Sequence, residues 1–165
     1  MKNGDGKISA CAASGCGWRC CQFQQGNFIA LYPGEIEQAE AAGQPTAHLK
    51  IIDKDYHGGK KAVCTARDTA TCDGGFKPLD CASYPFFPAQ PKGRAIGDLL
   101  IKGKKCPLQT EHLAAQAAMV RAAWGEVVAR NPAARAWLDK VELVGYSEPL
   151  RPAEKPEAAE LRPAA

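Results

Sequence analysis

Eight cysteines hold most of the chemistry this sequence can offer. Four fall inside CAASGCGWRCC, residues 11–21, as Cys11, Cys16, Cys20 and Cys21. The other four, Cys64, Cys72, Cys81 and Cys106, are spread through a stretch rich in glycine, proline, aspartate and threonine. A thiolate is at once a nucleophile, a redox group and a soft metal ligand. Four plus four is the number needed for two four-thiolate centres, whether zinc ions or iron–sulfur clusters. Small residues between the cysteines let the backbone wrap a metal, and the binding free energy then becomes folding free energy for loops that lack a core. Disulfides and thiol redox chemistry are the competing uses. Cys20 and Cys21 are the awkward pair, because neighbouring side chains tend to point apart. They read best as a fork, directed to two centres or to two sides of one polynuclear centre.

Charge is consistent with metal. Eight thiolates take the formal net charge of +3 to −5, and two dipositive centres return it to −1. Arg19, Lys60, Lys61, Lys77, Lys104 and Lys105 lie beside cysteines in sequence, where they offset residual negative charge or simply stay solvated. The spacings C-x4-C and C-x3-C match neither the paired C-x2-C of zinc ribbons nor the common ferredoxin runs, which leans toward a cluster. A pI near 8.4, with no basic stripe interleaved with aromatics, gives no reason to expect nucleic acid.

Other groups offer less. NGDGKIS, residues 3–9, mimics an EF-hand loop, but the register puts Met1 and Ala12 where acidic ligands are needed, so it reads as a polar turn. His48, His57 and His112 are too scattered for a histidine site, although His57 could replace one thiolate. Asp68, Asp73 and Asp80 sit among glycine and proline, where turn and cap roles outweigh a part around the metal. Trp18 and Phe23 bracket the CC pair and either shield a centre or pack in a core. No nucleophile–histidine arrangement is visible, and no glycine-rich strand–loop–helix for a nucleotide or methyl donor. Whether the chain is an enzyme stays open at this level.

These cysteines need elements to position them. FIALYP reads as a short strand, and PGEIEQAEAAG as a helix with acidic residues at its start and Gly43 at its stop. Residues 48–61 suggest a strand or hairpin arm with a Gly58-Gly59 turn. Residues 64–106 cannot build a regular core of their own. From Thr110, a candidate N-cap, Leu113, Ala117, Val120, Trp124 and Val127 recur at helical spacing. Asn131-Pro132 caps a second helix of about three turns through ARAWLDKVELV. The expected architecture is a small, α-rich and loop-rich α+β domain over residues 8–146. Its cysteine loops, 11–106, are held by metal and packed on two C-terminal helices within 110–143. The tail, 147–165, carries four of the twelve prolines and is expected to be flexible. The amino terminus lacks a signal-type apolar region, and no run of about 18 apolar residues occurs, so a cytoplasmic, soluble protein without a membrane partner is expected.

CAASGCGWRCC, the segment FIALYPGE, the block KPLDCASYPFFP and the closing KKCP together resemble the YkgJ-type cysteine-cluster proteins. These are described as zinc- or iron-chelating, often as iron–sulfur proteins, and flagellin lysine N-methylase is among their relatives. The resemblance covers residues 11–107 and implies that Cys11, Cys16, Cys20, Cys21, Cys64, Cys72, Cys81 and Cys106 are the metal ligands. It implies an iron–sulfur cluster of the 4Fe-4S kind, with zinc as the alternative, and an unidentified protein or redox partner. The opening spacing is wider than the family's, and Lys77 and Ala82 stand where the family commonly has arginines. A lysine keeps the charge of an arginine but not its planar fork.

Overall fold

A computed structural model of the chain describes residues 19–23, 26–89 and 99–146. The expectations for Cys11, Cys16, Trp18, the polar turn at residues 3–9 and the tail fall outside those residues. The architecture is α+β, as expected. Strand β1 (Ile29–Leu31) and the hairpin of β2 (Leu49–Tyr56) and β3 (Gly59–Cys64) form an antiparallel sheet in the order β1-β3-β2. Helix α1 (Glu35–Ala41) joins β1 to the hairpin. It ends as its sequence dictates: Gly43 takes φ 74°, its N–H reaches Glu40 and the next N–H reaches Ala39, satisfying two terminal carbonyls.

The hairpin turn lies one residue earlier than the Gly58-Gly59 reading. His57 and Gly58 both have positive φ, as a two-residue turn with Tyr56 opposite Gly59 requires. Gly59 is a strand residue kept small by its neighbours. A Cβ there would fall on the Leu31 carbonyl and 2.7 Å from Trp137 Nε1.

The described residues of 64–106 carry more regular structure than their composition suggests. They contain α2 (Leu79–Ser83) and an antiparallel pair, β4 (Phe86–Ala89) and β5 (Leu99–Lys102). Phe86, Phe87 and Leu100 from this stretch are buried in the larger core with Leu113, Val120, Trp124 and Trp137. It builds no core alone, but it shares one with the C-terminal helices α3 (Ala114–Arg130) and α4 (Pro132–Leu138). The expected face of α3 is the buried one at Leu113, Ala117, Val120 and Trp124, while Val127 is half-buried.

Two helix ends differ from expectation. Thr110 makes no side-chain cap; a 3-10 turn over Thr110–Leu113 leads into α3, with Gln109 in the cap position. Asn131 does cap α4, accepting from Ala134 N at 3.1 Å, but that helix has two turns, not three. The N–H groups of Lys140 and Val141 both turn back to Trp137 O, and the chain then leaves the helix. Glu142 meets the Tyr56 hydroxyl with both its backbone groups, and Tyr146 bridges Gly103, contacts that a longer helix would forfeit.

A second, smaller core holds Ile29, Leu31, Ile36, Leu49 and Ala62, with Cys64 and Cys81 packed against it. Strand β1 therefore lies between the two cores. Its side chains alternate, Ala30 facing the larger and Ile29 and Leu31 the smaller. Among the described residues no helix is long and apolar enough to cross a membrane.

Candidate metal centre

Cys20 and Cys21 occupy a short 3-10 turn, Arg19–Cys21, with their sulfurs 4.0 Å apart. Four sulfurs around one ion at about 2.3 Å stand about 3.8 Å apart along each tetrahedral edge, close to this separation. The two thiols have different neighbours. The charges of Cys21 and Cys72 both act on Cys64, whereas those of Cys20 and Cys106 both act on the Tyr84 phenol. Cys20, Cys21 and Cys81 line one cavity of about 40 Å³. The four other described cysteines, drawn from separate segments of the chain, thus lie near the CC pair or near a residue that touches it. Among the described residues, however, no three His, Cys, Asp or Glu side chains are close enough to hold an ion as they stand. His57 sits at the hairpin turn with its ring against Tyr56 and takes no part in this gathering.

Each cysteine is placed by identifiable bonds. Cys64 ends β3, and its sulfur accepts from Ala66 N at 3.4 Å. The loop to Cys72 is tied by its own aspartates. Asp73 accepts from the N–H groups of Arg67 and Asp68, and Asp68 from Ala70 N and the Thr71 hydroxyl. These bonds hold both carboxyls below their usual range. The turn role expected for Asp68 and Asp73 is what the structure has. Cys72, Asp73 and Gly74 all have positive φ, a left-handed run that two of the three residues adopt at a cost.

Cys81 lies on α2, which is tied to the rest of the fold at several points. Asp80 Oδ2 accepts from Ala30 N at 2.8 Å, fixing α2 to β1. Glu35, from the start of α1, accepts from Leu79 N at 2.7 Å and from Tyr32 N at 3.1 Å. Gln116 of α3 directs its amide at the carbonyls of Ala82, Ser83 and Tyr84, each 3.1 Å away, and Trp124 donates to Ser83 Oγ at 2.9 Å. Three polar side chains buried among apolar ones therefore hold the segment that carries Cys81 and Tyr84. In sequence Asp80 and Glu35 offer only local roles, in a turn and at a helix start, whereas the Asp80 bond runs fifty residues back. A Glu or Gln on a helix carries no mark of a partner so far away in sequence.

The electrostatics around the pair are unusual for an interior. Burial pushes the Cys64 thiol up, and the charges of Cys72 and Cys21 push it the same way. Burial raises Asp80 to about 7 against the opposing hydrogen bonds of Ala30 and Tyr146, and raises Glu35 to about 8. Burial likewise lifts Tyr84 and Tyr146 well above an ordinary phenol. Lys105 is lowered by burial while Cys20 and Cys21 hold it up. Its ammonium donates to Gln22 O and lies 5.4 Å from the centre of the Phe23 ring, bringing a positive charge to the CC turn. That settles one use of Phe23, which packs against the smaller core beside this charge.

Two buried polar atoms, His48 Nε2 and the Tyr84 hydroxyl, have no hydrogen-bond partner of ordinary geometry among the described residues. A buried group left so costs about 1–3 kcal/mol. Tyr84 lines the cavity with Cys20, and its hydroxyl would find a strong acceptor in a thiolate, a poor one in a thiol. Soft donors, a sulfur spacing near that of a tetrahedral edge, a cation at the turn and an orphaned donor all fit a thiolate-bound metal in kind. The chain matches no family model, no curated protein and no solved structure.

Proposed function

We propose that this protein binds metal through its cysteine thiolates, as an iron–sulfur cluster protein with a redox, sensing or accessory role in a modification pathway. The observation that carries this reading is the gathering of Cys64, Cys72, Cys81 and Cys106 around the Cys20–Cys21 pair. The resemblance of CAASGCGWRCC and KPLDCASYPFFP to the YkgJ-type family supports it, and membership of that family belongs to the proposal. A bound cluster supplies one-electron transfer tuned by hydrogen bonds and burial. The chain's own residues shape its surroundings: Phe23, Phe28, Tyr84 and Tyr146 line the cavity against water, and Lys105 offsets thiolate charge.

A zinc-stapled module without redox chemistry is the second reading. The 4.0 Å sulfur spacing favours it, since two cysteines on separate irons of a cubane stand wider apart than two on one ion. Anaerobic purification separates the two. A brown, oxygen-sensitive protein with iron and acid-labile sulfide is expected; a colourless protein with stoichiometric zinc replaces the first reading with the second. Folded protein that takes up neither metal refutes both. Cys20→Ala and Cys21→Ala should each lower the metal content, and unequally if the pair is divided between centres.

A further inference from the structure

The Tyr84 hydroxyl is built into a position that the rest of the fold leaves unused. Its backbone carbonyl is one of the three that Gln116 holds at 3.1 Å, so the residue is pinned from α3. Its ring lies against Gly103, where any Cβ would collide with the ring edge and the phenolic oxygen. The Tyr146 ring meets it edge-on at 6.2 Å. A side chain confined on these sides has little freedom to seek water. The backbone N–H groups of Lys105 and Cys106 face its oxygen, yet the hydroxyl is buried with no partner of ordinary geometry among the described residues. Because those N–H groups are donors, they cannot receive its proton.

The cavity that Tyr84 lines holds several acceptors. The Asp80 carboxyl is there, but it already takes the Ala30 N–H and the Tyr146 hydroxyl. The sulfurs of Cys20, Cys21 and Cys81 and the Asn27 amide line it too, and of these the Cys20 sulfur is near enough for its charge to act on the phenol. A thiol accepts hydrogen bonds weakly; a thiolate held by a metal accepts them strongly, and such bonds tune the metal.

We propose that the Tyr84 hydroxyl donates a hydrogen bond to the Cys20 thiolate of the metal centre, making Tyr84 a positioning residue that sets how firmly this sulfur holds its metal. This rests on the thiolate–metal reading above. The bond would fix the direction of the Cys20 lone pairs, which governs affinity, and draw some electron density from the sulfur, which governs the energy of the charge-transfer band. Cys21, whose charge acts on Cys64, has other surroundings, so the two adjacent thiolates would be unequal ligands.

The test loads the full-length protein and its Tyr84→Phe variant with Co(II) alone under anaerobic conditions, with chelator competition for affinity and absorption for the sulfur-to-cobalt charge-transfer band. Phenylalanine keeps the ring on Gly103 and removes only the hydroxyl. Expected are equal stoichiometry, a band moved to lower energy in the variant, and affinity about 10- to 100-fold weaker. A purely structural tyrosine would leave the band energy unchanged. An unchanged band, whatever the affinity, overturns the proposal and leaves the metal reading standing, whereas wild-type protein that takes up no Co(II) overturns both. Wild-type protein loaded with NMR-active cadmium gives a check that needs no variant. A tyrosine hydroxyl proton coupled to the metal through sulfur supports the bond, and a loaded protein with no such proton overturns it.

Discussion

Glu35 offers a quantitative test of how the site is held. Its carboxyl is 2% exposed and accepts from Leu79 N and Tyr32 N, so it joins the starts of α1 and α2. Those two bonds favour the carboxylate, but burial outweighs them, and the pKa rises from 4.5 to about 8. The folded state therefore keeps a proton that the unfolded chain releases near pH 4.5. Between these two values the unfolded state binds fewer protons, so this contribution to stability is complete below pH 4.5 and is lost as pH rises toward 8. The interval from 4.5 to about 8, at about 1.4 kcal/mol per pH unit, amounts to about 5 kcal/mol, a large part of a small domain's stability. Glu35→Gln removes the titration but presents a single carbonyl to two N–H donors, which costs about 1–3 kcal/mol at every pH. Urea unfolding followed by the fluorescence of the buried Trp124 and Trp137, at several pH values from 5 to 8.5, gives the comparison. Wild type should be the more stable at pH 5, the difference should shrink as pH rises, and the order should reverse by pH 8.5. Asp80, raised to about 7, titrates in both proteins, and its charge also pushes Glu35 up, so the difference carries that coupling with it. A gap between the two proteins that stays constant over this range would refute the reasoning, because Glu35 would then not change its charge within it.

Two further substitutions probe the frame. Gly59→Ala forces a methyl onto the Leu31 carbonyl and the Trp137 indole; it should cost about 1–3 kcal/mol and weaken both the β1–β3 pairing and the Trp137 Nε1 bond to Tyr56 O. Thermal unfolding with the melting point unmoved would mean that the close approach is relieved cheaply. Asn131→Ala removes the acceptor for Ala134 N and the 2.8 Å bond to Pro33 O, for an expected loss of about 1–2 kcal/mol. Asn131→Asp keeps the first bond alone and should fall between the two in the same denaturation series.

Local signals in the sequence were the ones that could be followed. The Ile29–Leu31 strand, the Gly43 stop, the Asn131-Pro132 cap and the buried face of α3 each depend on residues within a turn or two of one another, so propensity and periodicity expose them. The Phe86-Phe87 strand was hidden because its prolines and short length resemble a loop until Leu100 and α3 are beside it. The same limit applied to the site. Eight cysteines announced thiol chemistry, but spacing along the chain says nothing about which meet. That depends on α2 being fixed to β1 by Asp80, to α1 by Glu35 and to α3 by Gln116, three buried polar contacts between distant residues.

The loop between Cys64 and Cys72 has a consequence of its own. From Ala66 to Gly75, Asp68 and Asp73 bind the loop's own backbone, and the Asp73 N–H returns to Asp68 O. A flexible segment of this length would lose chain entropy each time its ends were drawn together. Here that loss is incurred when the chain folds, through bonds that involve neither sulfur's reactive chemistry nor any ligand. Whatever meets Cys64 and Cys72 finds the loop between them already ordered, and the affinity of that encounter is not reduced by the ordering of the loop.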